Sequence, residues 1–221
     1  MAISNVSSGL RPGVCTSTTR PQAPFEGQMI YETDTHRVLV WDNAAWVMIA
    51  DTDTPPGLQL VASSAFTSIT AASPLNMIGV FVSEFTNYRI VFNTTSATAN
   101  VGISIQLMNG SSPATGSDYR FAAAGASSNG SSSNNGSATH ARIETTLTAK
   151  DGTIGTSVDL YQPQKAIRTN FFGDWWYDDG GSIIYRRYGG VHNLANAYDG
   201  FRIYPDVGTM TGNVRVYGLR D

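Results

Sequence analysis

The chain has 221 residues, a formal net charge of −3 and only 14% charged residues, against roughly 25% in an ordinary globular domain. Polar surface therefore falls to Ser, Thr, Asn and Gly, a balance common in loop-rich β proteins; with lysine present only at Lys150 and Lys165, a nucleic-acid-binding surface is not expected. Cys15 is the only cysteine, which excludes an intrachain disulfide and a thiolate metal cluster, and it reads as a passive residue of the N-terminal segment. No apolar run approaches the roughly 18 residues of a membrane span, and Met1 to Arg11 has neither the basic start nor the apolar core of a signal peptide. The expectation is a product made and assembled inside a cell, with no membrane insertion.

Met1 to Phe25 is rich in Ser, Thr, Gly and Pro without periodicity, and 1–26 reads as an extended arm laid against another protein. Residues 27–50 read as a small β meander of three strands and two tight turns. β-Branched and aromatic residues crowd Gln28 to Glu32 and Val38 to Trp41, and the Asp- and Asn-bearing segments after each run supply the turns. Trp41 and Trp46 flank the turn Asp42-Asn43-Ala44-Ala45, where the two rings can pack across the hairpin or against a second chain. So small a unit needs the rest of the chain or a partner to cover its apolar face. DTDTPPG, Asp51 to Gly57, reads as a short stiff linker.

The run TTRPQAPFEGQMIYETDTHRVLVWDNAAWV, Thr18 to Val47, resembles a segment of tailed-bacteriophage virion proteins, among them tail fibres, collar proteins and head appendages. Arg20, Pro21, Glu26, Gly27, Gln28, Ile30, Tyr31, Glu32, Thr33, Asp34, Trp41, Asp42 and Trp46 match that pattern; Asn43 stands where Gly is common, and Asn also tolerates positive φ. The resemblance implies a virion structural protein, commonly a homotrimer, anchored to other virion proteins through its N-terminal region, with Pro21, Gly27, Tyr31, Trp41 and Trp46 as anchor residues.

From Leu58 to Asp221 short strands recur about every ten residues. Val101, Ile103, Ile105 and Leu107 alternate with Gly102, Ser104 and Gln106, predicting one core face and one wet face, and Tyr88, Ile90 and Phe92 alternate similarly with Arg89, Val91 and Asn93. Further strands are expected at Met77 to Val82, Arg142 to Leu147, Ser182 to Arg187, Phe201 to Tyr204 and Val214 to Leu219. No stretch shows a 3.6-residue period. The fold class is all-β, a small N-terminal meander followed over 58–221 by an antiparallel β sandwich of jelly-roll type. The closing VRVYGLRD also resembles the last strand of jelly-roll domains in phage appendages. Ala122 to Thr139 is low in complexity and reads as a mobile surface loop.

The densest chemistry lies in NFFGDWWYDDGGSIIYRRYGG, Asn170 to Gly190. Trp and Tyr faces stack on sugar rings while Asp and Arg bind hydroxyls, so Trp175, Trp176, Tyr177, Asp178, Asp179, Tyr185 and Arg187 form a candidate glycan site. The same composition suits a subunit interface or the sandwich core. Trp175 and Trp176 are adjacent and point to opposite faces of a strand, so at most one is core. Asp174, Asp178 and Asp179 lack the regular spacing of a calcium loop and read as solvated turn acids rather than a glycosidase pair. His36, His140 and His192 are far apart, without a zinc motif, and no P-loop, dinucleotide fingerprint or nucleophile elbow occurs. The expectation is a non-enzymatic virion appendage, without cofactor or metal, that displays its sandwich to a host-surface glycan. The alternative is a capsid decoration or head-fibre protein with a purely structural role.

Overall fold

The structure, a computed structural model, describes residues 12–51, 57–98, 102–127, 130–138, 141–142, 154–178 and 183–220, and divides into two units, 1–56 and 57–221. Among the described residues every helix or strand element is a strand.

In the first unit β1 (Gly13–Cys15), β2 (Met29–Glu32), β3 (Arg37–Trp41) and β4 (Trp46–Asp51) form one sheet in that order. β2 to β4 are the expected antiparallel meander. The arm departs from expectation, because β1 lies parallel to β2 with Gly13 opposite Ile30 and Cys15 opposite Glu32. Polar groups of the β2–β3 turn hold it there. Thr33 N donates to the Cys15 carbonyl at 2.9 Å, and the Asp34 carboxylate accepts from Ser17 N at 2.9 Å and from its hydroxyl at 2.5 Å.

Buried apolar side chains in this unit are Ile30 and Leu39, joined by the buried acids Glu32 and Asp51. Glu32 Oε1 is ion-paired with Arg20 Nε, and its Oε2 accepts from Thr35 Oγ1 at 2.6 Å. The Arg20 hydrogen bond holds the Glu32 carboxyl below its usual range, against burial. Asp51 pairs with Arg37 Nε at 3.2 Å. In the β3–β4 turn Asp42 Oδ1 accepts from the backbone N of Ala44 (2.9 Å) and Ala45 (2.7 Å), while Asn43 takes φ 77°, the conformation for which Gly is common there.

In the second unit β5 (Leu58–Ile69), β7 (Asn87–Ala97), β13 (Ile154–Tyr161) and β17 (Met210–Leu219) lie side by side in the order β5-β17-β7-β13. The facing sheet runs β6 (Leu75–Met77), β16 (Gly200–Pro205), β8 (Ile103–Asn109), β12 (Ala141–Arg142), with β9 (Ser112–Pro113) paired to β8. The chain visits the sheets in the sequence β5, β6, β7, β8, β12, β13, β16, β17, crossing between them at all but one step. That order is a jelly roll. Two insertions widen the first sheet beyond β13: the hairpin β14 (Ile167–Asp178) and β15 (Ile183–Asn196), then β10 (Tyr119–Ser127) and β11 (Gly130–Ala138).

The core between the sheets takes Ile90, Phe92, Val214 and Val216 from one side and Ile103, Ile105, Leu107, Phe201 and Ile203 from the other. Tyr88, Ile90 and Phe92 point inward as expected. β8 departs, since Ser104 and Gln106 are buried too. Tyr204 stands opposite Ser104 and Arg202 opposite Gln106, and Arg202 Nε donates to Gln106 Oε1 at 2.6 Å, so long neighbours cover what would be a wet face. Val101 lies outside the described residues. The strand expected over Met77 to Val82 ends at Met77, because Gly79 at φ 69° turns the chain and Val80 and Phe81 enter the core from a loop. Of Arg142 to Leu147 only Arg142 is described.

The low-complexity stretch is not a loop: residues 122–127 and 130–138 belong to paired strands, β10 docked on β15 and β11 on β10. Backbone pairing needs no large side chain, and Tyr119 at the start of β10 supplies the anchor. Its buried hydroxyl accepts from Leu107 N of the facing sheet at 2.8 Å. Its ring meets the His192 ring edge-on at 4.4 Å, and His192 Nδ1 lies 3.1 Å from the Tyr198 hydroxyl. Burial pushes the His192 pKa below 6.5.

Candidate functional site

β14 and β15 pair in register with Trp176 opposite Tyr185, Asp174 opposite Arg187 and Phe172 opposite Gly189. Alternation sends Trp175, Phe171 and Tyr188 into the core, while Trp176, Phe172, Tyr185 and Arg187 stand on the outer face. Trp175 is 2% exposed and Trp176 54%. One residue of register separates a core ring from a surface ring.

Two glycines flank the outer rings. Gly155 is the partner of Trp176 on β13, and a Cβ there would sit 3.9 Å from the Trp176 indole nitrogen. Gly189 faces Phe172, and a Cβ there would meet that ring at 3.3 Å. The two glycines leave room beside the rings, and Arg187 Cζ lies 5.3 Å from the centre of Phe172. Asp174 sits between them, 3.4 Å from Ser157 Oγ. An array of aromatic faces interleaved with a guanidinium and a carboxylate can stack on a sugar ring and hydrogen-bond its hydroxyls.

The residues singled out from sequence divide. Trp176, Tyr185 and Arg187 come together on this face. Trp175 is corrected to the core, where Arg186 Cζ lies 5.7 Å over its ring. Tyr177 and Asp178 end β14, in backbone register with Ile184 and Ile183, and Asp179 lies outside the described residues. Phe172 was missed, although its position two strand steps before Asp174 was available from the alternation. Among the described residues no group of three or more His, Cys, Asp or Glu could hold a metal ion.

In the first unit Trp41 and Trp46 pack on one another, ring centres 5.5 Å apart, and Gly27 at φ 82° turns the chain into β2 while donating to the Trp41 carbonyl at 2.8 Å. Pro21 and Tyr31 are half-buried. The exposed apolar side chains of this unit are Val14, Phe25, Met29, Val47, Met48 and Ile49, the last three on the edge strand β4. Comparison with protein-family models, with curated proteins and with solved structures finds no match to this chain.

Proposed function

We propose that the chain is a non-enzymatic bacteriophage virion protein whose N-terminal sheet attaches it to the particle and whose jelly roll offers its outer sheet face to a host-surface glycan. The observation that carries this reading is the row Phe172, Trp176, Tyr185 and Arg187, exposed on the outer face of a sheet whose inner face sends Phe171, Trp175 and Tyr188 into the core. Aromatic side chains of this size stay on a surface at the cost of leaving apolar area in water, which recognition offsets. The exposed Val47, Met48 and Ile49 on an edge strand support attachment through the other unit, to virion proteins and to further copies in a homotrimer. Three copies on one particle raise a weak single-site affinity.

The double substitution Trp176→Ala, Tyr185→Ala tests this reading. It leaves the melting temperature of the purified chain unchanged and abolishes adsorption of particles that carry it. Unchanged adsorption overturns glycan recognition by this face. The purely structural reading makes a different prediction: particles lacking the protein leak DNA, whereas an appendage leaves them intact and unable to adsorb. Light scattering on the purified chain reads the trimer directly, as three times 23.7 kDa.

A further inference from the structure

The opposite end of the same sheet face carries a second feature. Leu58 of β5, Leu219 of β17, Asn87 and Arg89 of β7, and Asp159 and Tyr161 of β13 line an open groove of about 300 Å³. Leu58, Leu219 and Tyr161 are exposed apolar or aromatic walls. Arg89 and Asp159 meet at two points, Nε to Oδ1 and Nη2 to Oδ2, both 2.7 Å, so the charge of one offsets the other and the groove presents no net charge. Asn87 Oδ1 is buried without a hydrogen-bond partner among the described residues. Such an acceptor has lost its hydration without a replacement, and a hydroxyl donor bound in the groove supplies one.

Apolar walls, neutralised charges and an unsatisfied amide together fit a neutral polyhydroxylated ligand better than an anion or a hydrocarbon. The groove is also in line with the aromatic row. Gly155, the partner of Trp176, and Tyr161 lie at the two ends of one stretch of β13, so the two features stand about 20 Å apart at the usual rise per residue. Between them the face shows Ser157 beside Asp174, then Asp159 beside Phe172 with Arg187 over its ring.

We infer that this face is a continuous track for a linear neutral polysaccharide, running along β13 and β14 from Trp176 to the groove, rather than a pocket for one terminal sugar. The inference rests on the glycan reading above and adds the class of ligand and its direction on the sheet.

The test uses the full-length chain and an array of linear neutral bacterial surface polysaccharides, each printed intact and as fragments either shorter or longer than the span of about 20 Å. Long fragments are expected to bind about tenfold or more tightly than short ones, because the second contact becomes intramolecular. Tyr161→Leu, which keeps the groove filled, and Asn87→Leu each remove the length dependence and leave short-fragment binding at the Trp176 end unchanged. Trp176→Ala weakens every fragment. Equal affinity for long and short fragments, or groove variants that bind like the parent while Trp176→Ala does not, overturns the track and leaves the aromatic site standing. No binding of the parent chain to any of these polysaccharides overturns the neutral track, and the adsorption of particles carrying Trp176→Ala, Tyr185→Ala decides the glycan reading separately. A groove variant that changes the mass in solution and not the binding assigns the groove to contact between copies, which also overturns the proposal.

Discussion

The two units of this chain distribute polarity in opposite ways. The jelly roll buries Ile90, Phe92, Phe201, Ile203, Val214 and Val216 completely. The N-terminal sheet buries Glu32 and Asp51 while Val14, Phe25, Met29, Val47, Met48 and Ile49 face outward. A sandwich of this size is stabilised by its own core, whereas a four-stranded sheet with two buried aliphatics is held by ion pairs and turn bonds and leaves apolar side chains exposed. Its motif residues therefore read as scaffolding: Arg20 holds Glu32, Asp34 holds Ser17, and Asp42 holds the hairpin.

The largest break in this contrast is expected from the core. Phe92→Ala should lower the stability of the jelly roll by about 3–5 kcal/mol, seen as an earlier thermal transition. The near-ultraviolet signal of the Trp41 and Trp46 pair should melt as before; a joint shift would mean that the units do not fold independently. Arg20→Ala should act in the reverse sense. It leaves Glu32 buried beside Thr35 alone, at a cost of about 1–2 kcal/mol, discounted from the full cost of breaking a buried pair because the Arg20 side chain is 38% exposed. Only the tryptophan-pair signal should move.

Acid titration sharpens the comparison further. His192 has a folded pKa below 6.5, so its contribution to the jelly roll is complete above that value and falls as pH drops through it toward the folded pKa. His192→Gln should flatten that slope in melting temperature. In the N-terminal sheet Glu32 is held low by Arg20, Asp34 by Ser17, and Asp42 by the backbone of Ala45 and Ala44. Their contribution is present above the ordinary carboxylate values and is lost as pH falls through the lower folded ones. The sandwich should therefore soften at mildly acid pH while the tryptophan pair holds, and the pair should give way only at stronger acid. The smallest effect is expected at β4: Met48→Ser should change stability within about 0.5 kcal/mol and, on the trimer proposed above, still reduce the mass read by light scattering. An unchanged mass would remove β4 from the contacts between copies.

Much of the fold was legible because one face of most strands is apolar. Tyr88, Ile90 and Phe92 announce β7, and Val214 to Leu219 announces β17. Tertiary partners decided the rest. Ser104 and Gln106 look like a wet face until Tyr204 and Arg202 are placed opposite them. The Ala-, Ser- and Asn-rich hairpin of β10 and β11 has no apolar period, since its order comes from backbone pairing to β15 and one tyrosine at its start. β1 was hidden for a related reason, being held by Thr33 and Asp34 some seventeen residues away along the chain. The candidate site was half legible: adjacency showed that Trp175 and Trp176 must part company, but only register tells which one faces out.

The placement of the β14–β15 hairpin beyond β13 has a consequence for how such a protein can change over generations. The eight strands that define the jelly roll are complete without it, and within the hairpin Phe171, Trp175 and Tyr188 are committed to the interior while Phe172, Asp174, Trp176, Tyr185 and Arg187 are not. The outward positions can therefore be rewritten one at a time without touching the core, and a library that randomises those five alone should yield folded variants from an unaltered frame.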